Sequence, residues 1–391
     1  MTLLTAKDFN PPLYYYILHF WMKIFGSSEI ALRSLSFVFY WATLYVVFLI
    51  LQEVLKFNQR KSFAYLVLFA INPLLLYYGF EARMYTLLCF FATLSFYALY
   101  KKNSKLYLLA AILGLYTHYF MILVVIAQYF LKNFKQKTAF LAFAPWALFV
   151  IVEKGLSGGS FWIPAPSIFS AIDFVGNIFT GYENSFGFFD HYLIILSLFI
   201  WVMLIFAYKK YATAHKKERE IFKTFLVWGV IIPIVVVIIS FIKPVFLPRY
   251  LIFSGVGLTF LIILAVEKMS KPLKIVSLLC IVSVLLVYQG MQVTFRLKSP
   301  IKNNLLEIKS LLKKDDVVYV TNDLDFFVAQ YYIGEKNVYI YGNRLSAIPN
   351  YIGTVLINKN NIAASLPIYP KRAFIVTNDN GDYEVQSYSN R

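Results

Sequence analysis

Runs of about 18 or more predominantly apolar residues recur along this chain of 391, and no other feature constrains its fold as strongly. In hydrocarbon every backbone N–H and C=O must find a partner within the protein, so runs of this length read as membrane-crossing helices. They fall at 34–53, 62–79, 84–100, 106–131, 138–154, 191–208, 224–242, 250–267 and 273–294. The 106–131 run is too long for one straight crossing. It carries "LYTHYF" at its middle, so it divides near Thr117–His118. About ten spans result, and the expected class is a mainly α, polytopic transmembrane bundle. Composition agrees: 60% of residues are hydrophobic and only 15% charged.

The formal net charge of +17 raises the question of nucleic acid, and its distribution answers it. Five loops hold 18 Lys and Arg: Lys56 to Lys61, Lys101 to Lys105, Lys132 to Lys137, Lys209 to Lys223 and Lys268 to Lys274. The intervening short loops hold four: Arg83, Lys154, Lys243 and Arg249. Alternation of this kind orients spans with the basic loops in the cytoplasm. No basic helix or basic–aromatic interleaving stands outside those loops, which excludes a nucleic-acid partner. The split at His118 is needed to keep the alternation. Cys89 and Cys280 both lie inside apolar runs and read as packing residues.

The opposite face then receives the Glu81–Tyr85 loop, His118, the 155–190 segment, the 243–249 loop and everything after about 295. The C-terminus is expected there. Within 155–190 a Gly-rich start, "GLSGGS", leads to an apolar stretch near 167–180 that reads as an interfacial helix. Beyond 295 the texture changes. "IKNNLLEIKSLLKK" places Ile301, Leu305, Ile308 and Leu312 on one helical face. Short β-rich runs follow ("DVVYV", "NVYIY", "GTVLI" and "AFIVT"), with a helical "DFFVAQYYI" between the first two. The expected organisation is a transmembrane domain over 1–294 and a small extracytoplasmic α/β domain over 295–391, its sheet largely parallel. Residues 11–25 are short for a full crossing, and parity leaves them either a span with a cytoplasmic N-terminus or an interfacial stretch with the N-terminus outside; the resemblance given next implies the second, with 1–33 an outer juxtamembrane segment of the first domain.

Four stretches carry a family resemblance. "DFNPPLYYYILHFWMKIFGSSEIALR" supplies Asp8, Pro11, Pro12, Leu13, Phe25, Gly26, Glu29 and Arg33. "PLLLYYGFEARMYTLL" supplies Glu81, Arg83, Met84 and Tyr85. "GLYTHYF" and "FLPRYLIF" follow in order. Together they resemble the membrane glycosyltransferases of the C-type fold, among them the protein O-mannosyltransferases and the lipid A aminoarabinose transferases. The resemblance covers most of 8–260. In that family the proline-rich stretch follows a first transmembrane helix and an Asp-Glu motif whose Asp is the presumed base. The sequence at hand opens after the place where both would stand. The resemblance therefore implies either an internal start or a degenerate copy.

The reaction so implied moves a sugar from a polyprenyl-phosphate donor to an acceptor hydroxyl on a lipid, glycan or protein, at the extracytoplasmic face of a cell membrane. It needs a carboxylate to take the acceptor proton and cations to hold the departing phosphate. Asp8 and Glu81 are the catalytic candidates, with Glu29 and Asp190 as further carboxylates on that face. Arg249 is the first choice for the phosphate, with Lys243 and Arg83 beside it. Tyr85, His118 and His19 are expected in the same cavity, and a divalent metal is an open possibility. Blander readings apply to each. Asp8 could cap the helix that begins at Pro-Pro, and Glu81 and Arg83 could pair with each other. Tyr85 could belong to an interfacial belt, Arg249 could snorkel, and Glu29 and Arg33 could form an i,i+4 pair. Two competing functions stand beside the transferase: a lipid or glycan transporter, and a catalytically degenerate glycan-binding protein. Transporters carry ionisable groups near the midplane or repeated broken helices, whereas nearly all charges here sit at span ends.

Overall fold

A computed structural model of the chain describes residues 10–154, 163, 165–167, 169–181, 190–295, 301–349, 352–368, 371–379 and 382–388. They divide into two units, Asn10–Arg296 and Leu297–Arg391.

The first unit is helical. Its elements are α1 (Leu13–Phe25), α2 (Glu29–Leu49, continued by a π-helical turn Ile50–Val54), α3 (Gln59–Ala70), α4 (Pro73–Gly79), α5 (Tyr85–Lys101), α6 (Ser104–Leu115), α7 (Met121–Leu131) and α8 (Gln136–Lys154). There follow α9 (Ser170–Thr180), α10 (Asp190–Ala212), α11 (Lys216–Leu226, continued by a second π-helical turn Val227–Ile231), α12 (Ile232–Ser240), α13 (Ile252–Glu267) and α14 (Lys271–Phe295). Local chemistry sets the ends. Ser28, Asn58, Asn72 and Asn103 cap α2, α3, α4 and α6 by accepting from the backbone N–H of Ala31, Lys61, Leu75 and Leu106. Gly26 ends α1 with φ 83, a left-handed conformation closed to most side chains.

A helix stands at each of the ten expected positions. Among the described residues six are long and apolar enough to cross a membrane: Glu29–Val54, Gln136–Glu153, Tyr192–Ala212, Lys216–Ser240, Pro248–Glu267 and Lys271–Thr294. The run read as a span over 62–79 is instead broken, with α3 and α4 meeting at 71°. Pro73 cannot donate into a continuing helix, and the Asn72 side chain caps the new start. The 106–131 run does divide at Thr117–His118. At 1.5 Å per residue its halves, α6 and α7, are only about 18 and 16 Å long, short of a crossing of about 30 Å.

Lipid tails are as apolar as leucine, so the bundle draws its specificity from close backbone approach and interhelical hydrogen bonds. α13 is its axis: every residue from Ile252 to Val266 is buried. The π-helical turn at Gly229 crosses α13 at Gly257 so closely that a Cβ on Gly229 would lie 2.4 Å from the Leu258 nitrogen. Asn72 Nδ2 donates to the Phe179 carbonyl (2.8 Å), and Gln292 Nε2 to that of Thr180 (2.9 Å). The apolar 167–180 stretch does contain a helix, α9, whose residues 174–180 are buried while Phe169 and Ile172 stay exposed.

The second unit begins with α15 (Ile301–Leu311) and contains α16 (Phe326–Ile333). Its strands are β1 (Val317–Val320), β2 (Val338–Tyr341), β3 (Ile362–Ala363), β4 (Ala373–Asp379) and β5 (Asp382–Tyr388), in the order β3-β2-β1-β4-β5. All pairings are parallel except β4 with β5. Ile301, Leu305 and Ile308 join Val318, Val320, Phe374 and Val376 in one core. "GTVLI" does not form the expected strand. Gly353 is left-handed (φ 91), and Thr354–Leu356 coil into a short 3-10 turn. The antiparallel β5, "DYEVQSY", was not anticipated, because a solvated edge strand lacks the apolar alternation that announces one.

Candidate functional site

The helical unit has two chemically distinct ends. At one, Lys61 and Lys274 both pair with Glu267, Lys268 pairs with Glu218 (3.0 Å), and Lys101 pairs with Glu53 (2.8 Å). Four of the basic loops are thereby gathered at one end, as the alternation of charge requires.

At the other end the four motif stretches meet. The backbone N–H of Leu13, just after Pro11-Pro12, donates to the Tyr116 carbonyl (3.0 Å), joining the first motif to the third. The Ser36 hydroxyl donates to the Arg83 carbonyl (3.1 Å) and lies 3.3 Å from the Tyr14 hydroxyl, joining the first to the second. A set of aromatic rings closes the circuit. Tyr85 lies 4.9 Å from Tyr78, 6.0 Å from His118 and 6.0 Å from Tyr250, centroid to centroid. His118 lies 5.2 Å from Tyr250 and 5.4 Å from Phe120, and Phe120 lies 5.1 Å from Tyr250. Tyr250 belongs to the fourth motif, so residues some 165 positions apart share one cluster.

Each ring is held in place. Tyr85 opens α5, and its side chain is buried. His118 is only 4% exposed, and its Nδ1 accepts from the Phe120 N–H (3.2 Å). A neutral imidazole accepting at Nδ1 carries its proton on Nε2, which leaves a donor for a further partner. Pro248 starts a single 3-10 turn, Pro248–Leu251, that delivers Arg249 and Tyr250 to the head of α13. The Arg249 guanidinium lies 5.6 Å from the Tyr250 ring centre, and Arg249 is half-buried.

The expected site residues separate into three groups. Tyr85 and His118 are in the cluster, with Arg249 against its Tyr250 ring. Glu81 and Arg83 are on the short loop that leads into Tyr85; the Arg83 N–H donates to the Glu81 carbonyl (2.7 Å), and the Arg83 side chain is exposed. His19 and Lys243 make the third group. His19 is exposed on α1, edge-on to Phe20 at 5.7 Å, and Lys243 is exposed just beyond α12. Asp8 and the side chain of Asp190 lie outside the described residues. Glu29 and Arg33 form the i,i+4 pair, 3.7 Å apart. Among the described residues no three His, Cys, Asp or Glu side chains gather to hold a metal ion. Tyr14, Ser36, Phe120 and Tyr250 were not singled out from the sequence. The one signal for Tyr250 was its place beside Arg249, and Ser36 looks like any small residue in a span.

These features define a class: a multi-pass membrane protein with a small α/β domain, whose helical unit gathers a polar and aromatic site at the end opposite its basic loops. Comparison adds a family likeness over part of the chain. Residues 10–155 match the dolichyl-phosphate-mannose-protein mannosyltransferase family. The matched segment holds the first motif from Asn10 onward and the whole of the second and third, and bears out the resemblance drawn from them. No curated protein and no solved structure matches the chain.

Proposed function

We propose that the chain transfers a sugar from a polyprenyl-phosphate donor to an acceptor hydroxyl on the extracytoplasmic side of a cell membrane, at the motif end of the helical unit. The convergence of four sequence-distant motifs at that end, away from the basic loops, carries the reading. The family match over 10–155 supports the reaction class.

In this reading the bond between the sugar's anomeric carbon and the phosphate oxygen breaks, its electron pair leaves with the lipid phosphate, and the acceptor oxygen bonds to that carbon. Arg249 holds the phosphate. A guanidinium can grip two of its oxygens at once, and the stacked Tyr250 restrains the side chain's freedom. Arg83 is the second cation and Lys243 the reserve. Glu81, on the loop held by Ser36, takes the acceptor proton, a role for which Asp8 is the other candidate. Tyr85 and His118 wall the site, the imidazole offering its Nε2 proton to a sugar hydroxyl.

The test is sugar transfer from a polyprenyl-phosphate sugar by the chain in membranes. Arg249→Lys and Arg249→Ala are expected to insert normally. Loss of a donor that stabilises developing charge lowers turnover by about 10²-fold or more. The loss is expected to exceed any loss of donor binding, because the contact strengthens as charge reaches the leaving phosphate. Wild-type rates in both variants would reduce Arg249 to an interface anchor and overturn the assignment.

A further inference from the structure

The basic end of the helical unit is not featureless. An open cavity of about 360 Å³ is lined there by Lys56, Lys217, Lys268 and Glu267 together with Phe57 and Leu264. A narrower apolar slot of about 150 Å³ runs on from it, walled by Ile50, Phe96, Tyr100, Phe225 and Trp228. Val54, Lys217 and Ile221 line both, so the two form one groove with a cationic mouth and an apolar floor. Tyr85 and Phe96 stand eleven residues apart on α5, which puts this groove about 16 Å along the helix from the aromatic cluster.

Three independent features mark the groove. Both π-helical turns of the chain's described residues contribute to it, Ile50 and Val54 from one and Trp228 from the other. Such turns interrupt the regular ladder and recur at functional sites. Lys56 is held at φ 58, where a lysine is uncommon and glycine is the usual occupant. The Trp228 indole N–H, fully buried in the slot wall, has no hydrogen-bond partner among the described residues.

The charge balance names the occupant. Glu267 is matched by Lys61 and Lys274 together, and Glu218 by Lys268. Lys56 and Lys217 make no ion pair among the described residues. Counting Glu220 at the edge of the slot, five lysines face three glutamates. We propose that this groove binds an anionic membrane lipid, its phosphate among Lys56, Lys217 and Lys268 and its chain along the apolar slot walled by Ile50, Phe96, Phe225 and Trp228. A phosphate answers the surplus of two positive charges, and a hydrocarbon chain answers a slot stacked with rings, Phe96 lying 4.3 Å from Trp228. This lipid is distinct from a donor bound at the motif end, and its site survives if the transferase reading fails.

The test uses the full chain in nanodiscs of phosphatidylcholine, with phosphatidylglycerol bearing brominated chains as the probe. Bromine quenches a neighbouring indole, and the Trp228 contribution is the difference between wild type and Trp228→Phe, which keeps a ring against Phe96. Brominated phosphatidylglycerol is expected to quench that contribution at lower mole fraction than brominated phosphatidylcholine. Each lysine near an anionic surface is worth about fivefold in binding, so Lys56→Asn with Lys217→Gln should lower the preference roughly 25-fold. Asparagine is chosen because it tolerates the left-handed backbone at 56. Lys217→Arg, which keeps the charge, should retain the preference. Inorganic phosphate should not compete, since it cannot occupy the slot. Equal quenching by the two lipids, a preference unchanged in the double variant, or displacement by inorganic phosphate would each overturn the proposal.

Discussion

Gly229→Ala puts the packing of the bundle to a direct test. A Cβ at 229 would stand 2.4 Å from the Leu258 nitrogen, 2.6 Å from the Gly257 carbonyl carbon and 2.9 Å from the Leu258 Cα. Ordinary contacts of this kind lie at about 3.5 to 4.0 Å, so the crossing must open by roughly 1 Å. All three atoms are backbone, so no rotamer change relieves the clash. Overpacking costs about 1–3 kcal/mol, and an obstruction by backbone belongs at the upper end. Alanine's better helix propensity returns up to about 1 kcal/mol, leaving a net loss of about 1–2 kcal/mol. Gly290→Ala is the matched control. It lies in α14, where an added methyl would meet nothing within 4 Å, and it should be neutral or slightly stabilising. The assay is thermal unfolding of the full chain in detergent, followed by size-exclusion chromatography with fluorescence detection, the two variants run beside wild type. Gly229→Ala is expected to unfold at lower temperature and Gly290→Ala not to. Because α13 carries Arg249 and Tyr250 at its head, a displaced α13 should also lower sugar transfer. A Gly229→Ala protein as stable as Gly290→Ala would refute the close crossing of the second π-helical turn and α13.

Ser36→Ala removes the donor to the Arg83 carbonyl and the neighbour of the Tyr14 hydroxyl, a loss of about 1 kcal/mol; amide exchange around 81–86 should quicken roughly fivefold, and unchanged exchange would sever the first motif from the second. In the α/β unit the Arg372 guanidinium bonded to Asp316, a side chain only 4% exposed, holds that carboxyl below its ordinary value. Its stabilisation is complete above the unfolded value of about 4 and is lost as pH falls through the lower folded value, so Arg372→Gln should raise the pH at which β1 and β4 lose exchange protection in acid. Burial pushes the Asp325 carboxyl up, which works in the opposite direction: its penalty on folding appears as pH rises through its folded value. An acid midpoint unmoved by Arg372→Gln would show that the pair carries none of the domain's pH dependence. A reporter active only in the cytoplasm, fused after Arg391, is expected to be silent; activity would reverse the orientation inferred from the basic loops.

Much was legible in the sequence because a bilayer enforces it. A backbone in hydrocarbon has no partner but itself, so long apolar runs dictated helices at all ten positions, and the placement of Lys and Arg sorted the loops into two sets. The amphipathic pattern of 301–312 and the β-branched runs gave the α/β unit and three of its strands for the same reason: one face of each is buried and the period shows it. What no local pattern could decide was which distant residues meet. Tyr250 joins Tyr85 and His118 because a 3-10 turn at Pro248 aims it there, and α13 brings that turn to the other motifs. Gly229 and Gly257 read as ordinary glycines until two backbones cross at them. The cationic groove was invisible for a further reason. Its lysines belong to three loops that each read as orientation signals, and they become a site only where Glu267 and Glu218 leave Lys56 and Lys217 unmatched. Burial against solvent or lipid is a property of one segment and is written in its periodicity; juxtaposition is a property of pairs, fixed by packing that no single segment encodes.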